Sequence, residues 1–197
     1  MHAAPDDNDQ ALMLAYGRGD AAAFDALYAR HRGGVYRYLL RHCGNAAVAD
    51  ELFQDVWMNV IRARASYVPA ARFATWLYTI AHHRMVDHWR ATGQFVVVSA
   101  DADESARDAM HDLPASRVDE PERRAGNREL GERLRAAIAA LSPVQRDAFL
   151  LQYEGGLSLG EIADLNGVGV ETIKSRLRYA TSRLRLSLRE LREDAAE

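Results

Sequence analysis

Residues 141–188 read LSPVQRDAFLLQYEGGLSLGEIADLNGVGVETIKSRLRYATSRLRLSL, a pattern that predicts a helix-turn-helix. Ser142 begins one helix as an N-cap, with proline at the first helical position. Ser158 begins a second, short helix with a capping box, and residues 166–169 form a turn in which glycine accepts positive φ. A third helix follows from Val170. Two capped helices joined by a glycine-bearing turn are typical of proteins that place the second helix in a DNA major groove.

The last of these helices has one apolar stripe and one basic face. The stripe consists of Ile173, Leu177, Ala180 and Leu184. The opposite face and its flanks carry Lys174, Ser175, Arg178 and Tyr179. At 100° per residue these polar side chains point away from the packed stripe. We expect them to be able to reach base edges. Arginine or lysine pairs with guanine, serine contacts base or phosphate, and tyrosine stacks or touches a methyl group.

Composition excludes several protein classes. The chain has 197 residues, 48% of them hydrophobic, and a net charge of −3, so bulk charge alone does not hold it on DNA. Cys43 is the only cysteine, which excludes an intrachain disulfide framework and predicts a small buried apolar residue rather than a redox sensor. The N-terminus has no secretory pattern, and no run is long enough to span a membrane. We therefore expect a cytoplasmic protein without membrane insertion.

Helical periodicity extends through most of the chain and predicts an all-α fold of two small domains. Residues 9–93 form the first domain and residues 128–193 the second. Residues 94–127 are acidic and poor in large apolar side chains, which predicts a flexible linker. In the first domain we expect helix caps at Asp20 and Asn45, an interruption or a bend at Gly33-Gly34, a helix end at Gly44, a loop over 66–72 and a last helix over 73–90.

Positive charge is concentrated at one end of each domain. Residues 58–90 contain five arginines and one acid, and residues 170–192 contain seven cations and two acids. The first of these segments also holds aromatic residues, among them Tyr67, Phe73 and Trp76. Aromatic rings between cations suit single-stranded nucleic acid, because bases stack on rings while guanidinium groups follow phosphates. An extruded base could also be held there.

Three blocks of sequence, in order, resemble the extracytoplasmic-function (ECF) sigma factors of the bacterial sigma-70 family. The first block is DELFQDVW at residues 50–57, and the second is FATWLYTIA at residues 73–81, followed by Asp87. The third is LSP at residues 141–143 with Arg146, GLS at 156–158, EIA at 161–163 and TIKSRL at 172–177. The resemblance covers nearly the whole chain.

This resemblance implies a promoter-specificity subunit of RNA polymerase, without cofactor or catalysis, that binds double- and single-stranded promoter DNA. The β′ clamp helices of the core enzyme would bind Asp50, Glu51, Leu52, Gln54, Asp55 and Trp57. The −10 element would be recognised and melted by Asn59, Ala63, Tyr67, Arg72, His83, Arg84 and Arg90. The −35 element would be read by Thr172, Lys174, Ser175, Arg176, Arg178 and Tyr179, in a domain that also touches the β flap. Because members of this family are commonly controlled by a separate anti-sigma protein, the resemblance further implies an anti-sigma partner.

The chain departs from the family pattern at four positions, among them Thr79, where arginine is common, and Gly169, where a serine or proline cap is frequent. His83 stands where many relatives have asparagine, and Tyr179 stands where arginine is frequent. The promoter sequence therefore cannot be copied from a relative.

Two other functions compete with this interpretation. A helix-turn-helix regulator with an N-terminal sensor domain would explain residues 141–188 but not the first two blocks. An enzyme with a metal held by His82, His83, Asp87 and His88 is the second alternative, since His83 and Asp87 are one helical turn apart. No cysteine or distant carboxylate pair completes such a site.

Overall fold

A computed structural model describes the backbone of residues 5–93 and 123–194 and the side chains of 8–93 and 131–187. Within these residues the protein contains eight helices and no strand, which confirms the all-α prediction. The first domain contains α1 (Pro5–Gly17), α2 (Ala21–Cys43), α3 (Ala46–Ala63) and α4 (Phe73–Ala91). The second contains α5 (Arg123–Ala139), α6 (Pro143–Tyr153), α7 (Leu159–Asn166) and α8 (Val170–Asp194).

Side-chain caps define the helix starts as predicted. Asp20 accepts hydrogen bonds from the amides of residues 22 and 23, and Asn45 accepts them from residues 47 and 48. Ser158 and Glu161 form a reciprocal capping box at the start of α7. These bonds satisfy amides that have no partner inside the helix.

Of the predicted interruption or bend at Gly33-Gly34, the interruption is wrong, because α2 continues through both glycines to Cys43. The reason is packing rather than helix breaking. A Cβ on Gly34 would lie 2.7 Å from the Tyr78 hydroxyl and 3.2 Å from the Glu154 carbonyl oxygen. Glycine therefore lets other elements approach the helix, at a moderate cost in helix propensity.

The linker prediction lies partly outside the described residues. Residues 94–122 are not described, and α5 begins at Arg123, within the segment that the sequence assigns to the linker. The end of α5 is bound by Arg146, whose guanidinium donates to the carbonyls of Ile138, at 3.1 Å, Leu141, at 3.2 Å, and Ala139. This arginine thus satisfies carbonyls that the helix end leaves without partners.

Packing joins the helices into one continuous buried cluster. In the first domain α2 contacts α1, α3 and α4, and in the second domain α8 is the centre, packed by α5, α6 and α7. In addition, α2 contacts α5 and α6, so the two domains lie directly against each other. In the described part of the chain, no helix combines the length and the apolarity needed to cross a membrane.

Candidate nucleic-acid interface

The basic face of α8 is presented to solvent as the sequence predicts. Ile173, Ala180 and Leu184 are buried, which fixes the rotation of the helix. Lys174 and Arg178 are exposed, and Tyr179 is 41% exposed. The Lys174 ammonium lies 2.6 Å from the Glu171 carboxylate, and the Arg178 guanidinium lies 5.3 Å from the centre of the Tyr179 ring. This face combines hydrogen-bond donors with an aromatic edge, the groups that read base edges in a major groove.

Arg176 does not share this face. Its side chain belongs to the buried set, with 8% exposure, and burial lowers the pKa of its guanidinium despite the attraction of Asp147. Thr172 and Ser175 are half-buried on the helix, and the Arg178 guanidinium lies 3.5 Å from the Ser175 hydroxyl. In this conformation only part of the predicted −35 set is presented together.

The aromatic cluster of the first domain is mainly structural. Phe73 is fully buried and Tyr67 is 9% exposed. The Tyr67 ring lies 4.9 Å from the Trp76 ring, and Phe73 lies 5.7 Å from Trp76, measured between centroids. The Tyr67 hydroxyl is buried without a hydrogen-bond partner in the described residues, and burial raises its pKa. The rings predicted to receive a base thus also hold the 66–72 loop against α4.

Arg72 is engaged by the second domain. Its guanidinium donates to both oxygens of the Glu161 carboxylate, at 3.1 and 2.6 Å, and to the Gly156 carbonyl at 2.9 Å. This bidentate geometry is the one that arginine also uses with phosphate. A residue predicted to contact −10 DNA is therefore already bound to a carboxylate.

A histidine and two arginines of the predicted −10 set line a cleft. His83, Arg84 and Arg90 belong to a cleft of about 450 Å³ that Leu165 of the second domain closes on one side. Within it the Asp87 carboxylate lies 3.0 Å from Arg84 and 3.9 Å from Arg90. Positive charge facing a cleft suits a phosphate or a base edge.

The metal alternative finds no support in this geometry. The His82 imidazole faces Asp147 of the second domain at 3.4 Å, and Asp87 is paired with arginines. Among the described residues, no three histidine, cysteine or carboxylate side chains come close enough together to hold a metal ion. Cys43 is half-buried, and burial raises the pKa of its thiol to about 11.

The predicted polymerase-binding segment has two kinds of residue. Leu52 and Trp57 are buried, and Trp57 packs edge-on against Phe24 and Tyr28. The exposed members are Asp50, Glu51, Gln54 and Asp55. Near the end of α3 lie the half-buried Asn59 and Ala63, and the Asn59 amide donates to the Asp55 carbonyl at 2.8 Å. The helix thus turns an acidic face outward on an aromatic core.

Sequence reasoning missed the polar contacts between the domains. Asp147, Glu154 and Glu161 of the second domain each bind side chains of the first. The sequence offered one indication of a buried polar contact, the carboxylate of Asp147 amid the apolar residues of α6. Periodicity alone does not identify the partners of that carboxylate.

Comparison with known families and proteins accounts for both domains. Residues 27–94 match the family model for sigma-70 region 2, and residues 131–184 match that for sigma-70 region 4. The ECF RNA polymerase sigma factor SigK of Mycolicibacterium vanbaalenii is 33% identical over 188 residues, covering 90% of this chain and 88% of SigK. The RNA polymerase sigma factor CarQ of Myxococcus xanthus is 33% identical over 178 residues, covering 90% of this chain and 96% of CarQ.

Solved structures share the fold. CnrH, in complex with the cytosolic domain of CnrY, matches with a TM-score of 0.62 and 23% identity over 93% of this chain and 98% of that chain. The sigma factor RpoE of Bartonella quintana, in complex with the anti-sigma factor NepR, matches with a TM-score of 0.59 and 22% identity over 84% of this chain and 96% of that chain.

These matches do not favour a regulator with a sensor domain, because the N-terminal domain itself matches sigma-70 region 2. The identity to relatives extends over both domains in the predicted order. The chain belongs to the ECF sigma factors of the sigma-70 family, which bind core RNA polymerase and direct transcription initiation from promoters.

Proposed function

We propose that this sigma factor reads the −35 element with the exposed face of α8 and captures and melts the −10 element with the first domain. The exposed basic face is the observation that carries the proposal. A buried stripe fixes the helix, so Lys174, Arg178 and Tyr179 project away from the core. Thr172, Ser175 and Arg176 complete the predicted −35 set, although the Arg176 side chain is buried in this arrangement.

The −10 element binds between the 66–72 loop and α4. Tyr67 and Arg72 contact it from the loop side, while His83, Arg84 and Arg90 contact it from the helix. By the family resemblance, Asn59 and Ala63 at the end of α3 belong near the same pocket. A histidine at position 83 offers one ring donor and one ring acceptor when neutral, so it can select a base by its hydrogen-bonding edge.

Core polymerase binds the outward face of α3. The four exposed residues of that face, Asp50, Glu51, Gln54 and Asp55, offer acceptors to basic clamp helices, and the buried Leu52 and Trp57 hold the helix in place. The region 4 domain contacts the β flap.

The protein has no catalytic activity of its own and acts in the cytoplasm, where polymerase and chromosomal DNA are found. Its activity is controlled by an anti-sigma partner. The RpoE structure is a complex with the anti-sigma factor NepR, and we extend that kind of partner to this chain.

Run-off transcription with core polymerase tests the division of labour. The cognate promoter comes from sequencing transcripts after overexpression. Two templates are compared, one fully duplex and one with the −10 region already unpaired. We expect His83→Ala to lose more activity on the duplex template than on the unpaired one, because the unpaired template removes the melting step while the contact to the base is lost on both. Arg178→Ala should stay impaired on both, because both retain a duplex −35 element.

Two matched variants control for the loss of a positive charge or of a ring at a position outside the proposed sites. Arg183→Ala removes an exposed cation from the flank of α8, and His88→Ala removes a neighbouring ring from α4. Both should retain most activity. No promoter-directed transcript from the wild-type protein would overturn the proposed function, and identical template dependence of His83→Ala and Arg178→Ala would overturn the division of labour.

A further inference from the structure

Helix α1 contacts the chain at both ends of the 66–72 loop. The Gln10 side-chain amide donates to the Ala71 carbonyl at 2.7 Å, near the end of the loop. At the other end, a Cβ on Gly17 would lie 2.6 Å from the Arg64 carbonyl oxygen, so the backbone of α1 packs directly on the residue that caps the end of α3. A side chain at position 17 would force the two segments apart. The first helix is therefore placed to fix where the loop begins and where it ends.

Asp9 links α1 to α2 and to the start of α4. It is 4% exposed, and its carboxylate accepts a hydrogen bond from the Arg30 guanidinium. Its second oxygen lies 2.7 Å from the His31 imidazole, and the centre of that ring lies 5.2 Å from the centre of Phe73, the first residue of α4. A buried carboxylate is costly without such partners. Asp9 therefore sets the position of α1 relative to the helix that follows the loop.

The charge of Asp9 also acts on the centre of the loop. The Tyr67 side chain is buried, and its hydroxyl has no hydrogen-bond partner in the described residues. Burial raises the pKa of this hydroxyl, and the negative charge of Asp9 raises it further. The Tyr67 ring lies 4.9 Å from the Trp76 ring of α4. The centre of the loop is thus packed on α4 and within the electrostatic reach of a carboxylate on α1.

The backbone hydrogen bonds of the loop are local. The Ser66 amide donates to the Ala63 carbonyl at 3.0 Å, and the Ala70 amide donates to the Val68 carbonyl at 2.8 Å. Such short turns fix the local conformation but not the position of a loop relative to the rest of its domain. That position comes from contacts with other elements, namely α1, α4 and the second domain. Of these, α1 is the element that reaches both ends of the loop.

We propose that α1 holds the 66–72 loop in the conformation that captures the −10 strand, with Asp9 and Gln10 as positioning residues that do not touch DNA. The capture of the strand by the loop rests on the proposed function, whereas the support of the loop by α1 rests on the contacts alone. Helix α1 precedes residues 27–94, which match sigma-70 region 2, so the family match does not account for it. A loop that is already held in its binding conformation loses less conformational freedom when the strand binds, which strengthens binding.

Amide hydrogen exchange in the free protein, followed by NMR, tests the support of the loop. Gln10→Glu keeps the size of the side chain but turns an acceptor, rather than a donor, toward the Ala71 carbonyl. We expect the Ser66 and Ala70 amides to exchange about 5-fold faster, because one hydrogen bond that holds the loop is lost. Amides in the middle of α6 should be unchanged. Gln10→Lys retains a donor and should restore the slower exchange of the loop.

The matched control is Asn8→Asp, which makes the same amide-to-carboxylate change on an exposed residue of α1. It should leave the exchange of the loop unchanged. Asp9→Asn is a second variant, which removes the buried charge while keeping the shape of the side chain. We expect it to accelerate the same two amides by about 10-fold, because Arg30 and His31 lose an ionised partner. Circular dichroism and thermal unfolding show whether each variant is folded. Because Gln10 is only half-buried, Gln10→Glu keeps the test available if Asp9→Asn does not fold.

Binding by the reconstituted holoenzyme tests the effect on promoter recognition. A labelled single-stranded −10 oligonucleotide is compared with a −35 duplex by fluorescence anisotropy. We expect Gln10→Glu to bind the oligonucleotide about 3- to 10-fold more weakly than Asn8→Asp, which carries the same added charge, and to bind the duplex equally well. A residue with a merely structural role would change the affinity for both ligands to the same extent.

Three results would overturn parts of this proposal. Loop exchange that is unchanged in both Gln10→Glu and Asp9→Asn would overturn the support by α1. Faster loop exchange with oligonucleotide binding equal to that of Asn8→Asp would overturn the positioning role, and so would equal losses on the oligonucleotide and the duplex. A wild-type holoenzyme that does not bind the −10 oligonucleotide would instead overturn the proposed function. The exchange experiment would still test the support of the loop in that case, since it uses neither polymerase nor DNA.

Discussion

The two DNA-facing surfaces of this protein are prepared to different degrees. On α8 the outward side chains pair with neighbours on the same helix, as Lys174 does with Glu171 and Arg178 with Tyr179. In region 2, Tyr67 is part of the aromatic core and Arg72 is bound to Glu161. The first surface is ready for a duplex, whereas the second must exchange internal contacts for DNA.

This difference matches what each surface binds. A duplex major groove has a fixed shape, so a rigid helix face reads it with little rearrangement. A melted strand must be unpaired and extruded, and its binding requires groups that change partners. A ligand that binds only after internal contacts have opened has its affinity reduced to the fraction of molecules that are open. Under the proposed function, Arg72 would have to leave Glu161 before it could contact the melted strand.

The largest expected effect is a loss of stability when a core side chain beneath the region 2 surface is removed. Phe73 is fully buried against Tyr67, Trp76 and His31. We expect Phe73→Ala to lower the free energy of unfolding by about 3–5 kcal/mol, because it leaves a cavity that its neighbours fill only in part. Chemical denaturation followed by tryptophan fluorescence measures this, since all three tryptophans lie in region 2.

Val68→Ala is the control, because Val68 lies in the same loop and is largely exposed. Its effect should stay within about 0.5 kcal/mol. Equal and small effects of both changes would show that the aromatic cluster is a surface feature rather than a core.

An intermediate effect is expected on the prepared surface of α8. Arg178→Ala should weaken binding to a −35 duplex by about 1–3 kcal/mol and relax the base preference at one position, because one donor to a base edge is lost. The unfolding midpoint should not change, since Arg178 is exposed. Fluorescence anisotropy with a set of single-base variants of the duplex measures both affinity and preference.

Arg183→Ala removes the same charge from the flank of the helix and should weaken all duplexes only slightly and to the same extent, without changing the base preference. Loss of stability in Arg178→Ala, or an equal change of preference in both variants, would contradict the view that α8 presents its reading face without structural duties.

The sequence predicts the elements of this fold better than the way its surfaces are used. Caps such as Asp20, Asn45 and Ser158 are local signals, since each satisfies amides two or three residues away. The stripe on α8 is also local, because a period of 3.6 residues states which side is buried. These features are set by neighbours along the chain, and they were predictable.

Features set by distant partners were not predictable from residue type. The sequence assigned Trp57 and Arg176 to binding surfaces, yet both side chains are buried. The glycine pair in α2 was interpreted as a break because its packing partners, Tyr78 and Glu154, are far away in sequence. Asp147 carried no indication of its contacts with Tyr38 and the histidines. Such contacts depend on how the helices are arranged in space.

The smallest effect on stability is expected for Tyr67→Phe, which distinguishes packing by the Tyr67 ring from DNA binding by its hydroxyl. Its hydroxyl is buried and lacks a hydrogen-bond partner in the described residues, while its ring packs on Trp76. Tyr67→Phe keeps the ring and removes an unsatisfied polar group, so we expect the free energy of unfolding to stay level or rise by up to about 1 kcal/mol. If the hydroxyl meets the melted strand, binding of a −10 oligonucleotide should fall by about 3- to 10-fold, the loss of one hydrogen bond. Denaturation and anisotropy on the same samples measure both quantities. A fall in stability with unchanged binding would mean that the tyrosine is only structural, and the region 2 surface would then read DNA through its histidine and arginines alone.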